Sequence, residues 1–177
     1  MFFIPGPIIA ALTFPGVIVH EIAHQWFCRI FGVAVLDVCY FRFGNPAGYV
    51  LHEHPVRPGQ QIWIAIGPFL VNSVIGAIIA APASIQVVLL QAAGPVDFLL
   101  IWLGVSIAMH AFPSTGDART LRTAMSAVGV PLGVKLIAYP IIGLIFLGAI
   151  GSYVWLDAVY GVAVAVMGPL VLVALLA

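Results

Sequence analysis

Charge is the scarcest property of this sequence. Six basic and six acidic residues among 177 make 7% of the chain, against about 25% in an ordinary soluble domain. With 63% hydrophobic residues, a chain of this length cannot hide its apolar surface from water. A water-soluble fold is therefore excluded, and one membrane-embedded domain over residues 1–177 is expected. The net charge is zero and no basic patch is dense, which argues against a nucleic-acid partner. Cysteine is almost absent. Cys28 and Cys39 do not make a disulfide framework, and Cys28, inside a predicted membrane helix, reads as a small packed hydrophobe. The opening MFFIPGPIIAALTFPG carries no basic n-region, so its apolar segment is expected to remain in the mature protein.

Apolar runs are what the sequence has in abundance. A helix needs roughly 20 apolar residues to cross the bilayer core. About five stretches meet or approach that length: Pro7 to Phe31, Gln61 to Ala81, Asp97 to Pro113, Val134 to Ile150 and Tyr153 to Leu176. The third is short, and Pro113 marks its end. Arg29, Arg42 and Arg57 lie in or beside the first connection, and Arg119, Arg122 and Lys135 in the third, while 82–96 and 151–152 hold no Lys or Arg. The positive-inside rule makes the basic connections cytoplasmic. The expectation is a multi-pass protein of the plasma membrane, N-terminus outside and C-terminus cytoplasmic.

The stretch from Val33 to Gly59 has another texture. VAVLDVCYFRF is rich in β-branched and aromatic residues and reads as a strand. GNPAG is a turn, YVLHEH a returning strand and PVRPG a second turn. The fold class is thus an all-α polytopic membrane protein with a small membrane-associated β-ribbon between its first two helices. Non-helical backbone there must be covered by protein or face a watery cavity.

Chemistry concentrates in His20-Glu21-Ile22-Ala23-His24. On a helix the two histidines lie on one face, about 6 Å apart along the axis, so both imidazoles reach one zinc ion. Glu21 is placed to activate a water at the metal as general base. Ionisable groups inside an apolar span are costly and mark function; the bland alternative is two histidines bonded between helices. Catalytic zinc takes a third protein ligand. Asp117, past the cytoplasmic end of the third span, matches His20 and His24 in depth and side. Asp97 and Asp157 lie near the outer ends. His52, Glu53 and His54 in the ribbon are rivals for the third position, and Asp117 also suits a helix cap.

HEIAHQWFCRIFGV, then AIGPFLVN, then AFPSTGDA resemble the site-2 protease family of intramembrane zinc metalloproteases. In that family an HExxH helix precedes a β-ribbon, a helix with a GPxxxN-like motif, and a helix ending in an Asp–Gly ligand motif. Gly67, Pro68 and Asn72 match the middle motif. Ala118 follows Asp117 where the family has Gly, and His110 stands near its usual Asn. The likeness runs from about residue 15 to residue 125, in a minimal form without a regulatory domain.

The resemblance implies one zinc ion on His20, His24 and Asp117, with Glu21 as general acid–base. It implies a single-span membrane protein as substrate and membrane lipid as surroundings. An oxyanion needs a donor; Asn72 and His110 are candidates, Asn72 equally suited to a helix–helix hydrogen bond and His110 better suited to packing or to supporting a ligand. The ribbon would pair with the unwound substrate as an added strand or serve structure alone. Pro15-Gly16 would kink the first helix or adjust its packing. Ser106 and His110 share a helix face but lack a third group to orient them. The rival functions are a non-catalytic metal-binding or transport protein and an inactive protease homologue.

Overall fold

The computed structural model describes residues 5–176. Helix α1 (Gly6–Leu12) and helix α2 (Phe14–Ile30) meet at Thr13 with a bend of 88°. The expected first span is therefore not one straight helix. Pro15, in the first turn of α2, has no N–H to donate into the preceding turn, so the ladder is cut there. Gly32, with φ of 65°, stands just past the end of α2, where a left-handed residue closes a helix.

The ribbon follows. Strands β1 (Val35–Cys39) and β2 (Tyr49–His52) pair antiparallel, with Val38 opposite Val50 and Cys39 opposite Tyr49. Its connecting loop runs back along α2: Tyr40 donates to Gln25, and the Phe41 ring lies 6.0 Å from that of Phe14.

Helix α3 (Pro58–Ser84) continues in wider turns to Leu89. It packs antiparallel against α4 (Pro95–Met109). The two backbones touch at glycine, since a Cβ on Gly76 would lie 2.7 Å from the Gly104 carbonyl and one on Gly104 would lie 2.6 Å from the Gly76 carbonyl. Small residues permit this approach between apolar helices. Helix α4 has 15 residues, or roughly 22 Å, and falls short of a full crossing. The chain breaks at 110–114 and resumes as α5 (Thr115–Ser126), an amphipathic helix. Its apolar face of Ala118, Leu121 and Met125 joins Ile62 and Ala65 of α3 in the main core, with Ala138, Ile142 and Ile145 of α6 (Leu132–Gly151). The last segment is α7 (Leu156–Val162), a wider-turned stretch, and α8 (Gly168–Leu176). It runs beside α3 in the same sense, with Tyr160 bonded to Ser73 and Ser84 donating to the Ala165 carbonyl.

Among the described residues, three helices are long and apolar enough to cross a membrane: Pro58–Leu89, Leu132–Val154 and Leu156–Leu176. The bent α1–α2 pair would make a fourth. A helical membrane protein with a small ribbon is thus what the structure supports, while the expected count of five spans is not confirmed. The sequence hydropathy extends through both the α1–α2 bend and the end of α4, so it cannot register either interruption.

Candidate metal centre

Helix periodicity brings His20 and His24 to one buried face of α2. Their Nε2 atoms are 3.1 Å apart. Asp117, in the first turn of α5, completes the group, with Oδ1 3.3 Å from His24 Nε2. One ligand atom from each of the three lies within 4.8 Å of the other two. Among the described residues, His52, Glu53 and His54 join no such group. Asp97 caps the start of α4, and Asp157 lies in the first turn of α7.

Backbone carbonyls fix both rings. His20 Nδ1 donates to the His110 carbonyl at 2.7 Å, and His24 Nδ1 to the Ile64 carbonyl at 2.9 Å. A carbonyl only accepts, so each neutral ring carries its proton on Nδ1. The two Nε2 lone pairs then converge beside a carboxylate. These three atoms stand close enough to share one cation, either a proton between His24 and Asp117 or a divalent metal held by all three. Two imidazoles and a carboxylate are a donor set that could hold a metal ion.

Both orienting carbonyls come from interruptions in helices. In a regular helix the Ile64 carbonyl would accept from the N–H of residue 68. Residue 68 is proline, inside α3, and has no N–H to give. The His110 carbonyl lies at the end of α4, where helix carbonyls lack internal partners.

Asp117 is held from its own helix start. Ser114 donates to Asp117 Oδ2 from both N–H and hydroxyl, each at 2.7 Å, leaving Oδ1 turned to His24. One oxygen therefore makes the helix cap, and the other is left where it could serve as a ligand. Burial opposes ionisation of this carboxyl, but the facing His24 and the Ser114 bonds prevail and hold it below the usual carboxylate range.

Glu21 stands outside the ligand group yet lines the same cavity, of about 700 Å³. The cavity is bounded by α2, by 45–50 and His52 of the ribbon, by Gln61 and Ile64 of α3, and by the start of α5. Gly48 lies against Glu21: a Cβ there would be 2.7 Å from Glu21 Cγ. Among the described residues, β2 pairs with β1 and with no other strand, which leaves it one unpaired edge.

Asn72 is fully buried and does not line this cavity. Its Nδ2 lies 3.1–3.2 Å from the carbonyls of Gly16, Ile107 and His110. Its donors thus join α2, α3 and α4, a packing role. The His110 ring donates from Nε2 to the Thr13 hydroxyl, which itself donates to the Ile9 carbonyl. His110 thereby ties the α1–α2 bend to the carbonyl that orients His20. It does not pair with Ser106, whose hydroxyl is buried without a partner among the described residues. Gly16 serves packing, since a Cβ there would overlap the Ser106 carbonyl. Gln61 and the Pro68–Ile64 relation were not read from the sequence. The second was legible, because the carbonyl four residues before an interior proline is always released.

Comparison with protein-family models, with curated proteins and with solved structures finds no match.

Proposed function

We propose that this chain is an intramembrane zinc metalloprotease of the site-2 protease type. Its substrate would be a membrane-spanning protein, cut near the cytoplasmic side. The observation that carries the proposal is the convergence of His20 Nε2, His24 Nε2 and Asp117 Oδ1 in a cavity that also holds Glu21. A metal carrier needs the first three groups but has no use for the fourth.

Zinc held by these residues would supply Lewis acidity, polarising a peptide carbonyl and acidifying water. Glu21 takes the proton from the attacking water and returns it to the leaving amine. Peptide bonds in a helical substrate are hidden by their own hydrogen bonds, so the substrate must unwind. The β2 edge along the cavity offers it replacement backbone partners. Arg29, Arg57, Arg119, Arg122 and Lys135 lie at the end of α2, on α5, and where α3 and α6 begin; the positive-inside rule puts that side in the cytoplasm.

The test is cleavage of a panel of single-span substrates by the wild type and by Glu21→Gln. The variant should keep its zinc and lose about 10²–10⁴-fold in rate. Equal cleavage by both would remove Glu21 from the chemistry. Zinc binding without cleavage by the wild type would leave a metal-binding or transport protein, or an inactive homologue.

A further inference from the structure

Gln61 lies in the first turns of α3, 1% exposed, and lines the metal cavity together with His24, Asp117 and His52. Its Oε1 is buried with no hydrogen-bond partner among the described residues. Its neighbours in sequence show what the position would otherwise take: Ile62, Ile64 and Ala65 are buried and apolar. An unpaired buried amide is destabilising, and an apolar side chain of the same shape would avoid the loss. Such a group in a folded protein calls for a specific explanation.

The chemistry of the group suggests one. A primary amide carries a donor and an acceptor in one plane, the complement of a peptide group in extended chain. The cavity that holds Gln61 is bordered by Tyr49, Val50 and His52 of β2, where an extended chain would pair.

We propose that Gln61 binds the backbone of the unwound substrate inside the metal cavity. Its amide exchanges hydrogen bonds with a substrate peptide group, while β2 holds the same segment along its edge. The partner is main chain, so the contact is indifferent to substrate side chains and requires local unwinding. This inference rests on the protease reading.

The test is Gln61→Met, which keeps the unbranched shape and removes both hydrogen-bonding functions. Zinc content should equal that of the wild type, and thermal stability in detergent should be unchanged or raised. Cleavage efficiency should fall at least about tenfold, mainly through KM, because the contact is present before and during reaction. Gln61→Asn, with the amide withdrawn by one methylene, should show the same loss. Wild-type cleavage by Gln61→Met overturns the proposal. So does loss of stability or failure to fold, which would make Gln61 an internal support. Glu21→Gln separates the two levels. If it is inactive while Gln61→Met is fully active, only the Gln61 contact falls. If it is as active as the wild type, or the wild type never cleaves, both readings fall.

Discussion

Pro68→Ala tests how the metal site is oriented. The substitution gives residue 68 an N–H, four residues after Ile64 and aimed at its carbonyl. That carbonyl now accepts from His24 Nδ1 at 2.9 Å. The new donor competes with the ring, and His24 loses the bond that fixes its tautomer and direction. Removing an outer partner of a ligating histidine typically weakens metal binding 10–100-fold, or about 1.4–2.8 kcal/mol. The effect on the helix has the opposite sign. Alanine is preferred over interior proline by up to about 3 kcal/mol, so the metal-free protein should melt higher. Calorimetric zinc titration and thermal melts with chelator, both in detergent, measure the two quantities. Weaker zinc with a more stable apo-protein is the expected pair. Unchanged zinc affinity would refute the reasoning, because the Ile64 carbonyl would then serve both donors without loss.

Two further substitutions separate the metal from its proton carrier. Asp117→Ala removes a ligand outright and should weaken zinc by at least about 100-fold; unchanged affinity in the same titration would return the third position to the ribbon. Gly48→Ala places a methyl group 2.7 Å from Glu21 Cγ and 2.9 Å from its Oε1, so the carboxylate must move. Zinc content should hold while cleavage falls about 100-fold, the effect of misplacing a reacting group by roughly 1 Å. Wild-type turnover in that variant would mean the carboxylate adapts freely.

The long helices were legible because hydropathy alone marks α3, α6 and the α7–α8 segment. The ribbon was legible from its β-branched and aromatic run. The interruptions were not. The break at Thr13 falls two residues before Pro15, inside continuous apolar sequence, and α4 stops four residues short of Pro113. Both depend on packing that hydropathy does not record. The site divides in the same way. His20, Glu21 and His24 follow from a local spacing, and depth ranked Asp117 ahead of its rivals. Asn72 was recognised by type, but its role depends on three carbonyls from distant segments. Gln61, in the first turn of a helix after PVRPG, looks like an ordinary polar start and becomes notable only when burial leaves it unpaired.

The centre draws its two imidazoles from α2, its carboxylate from α5, and the carbonyls that aim the rings from α3 and the end of α4. No one of these elements contains a site. Metal affinity is therefore a property of their assembly, and by linkage zinc binding favours the assembled state over any in which one helix has drifted. If the protein is the protease proposed above, this construction gives it an internal check on its own maturation. A chain inserted in the membrane but not yet packed cannot hold zinc well, so the capacity to cut peptide bonds should arise only with the completed bundle.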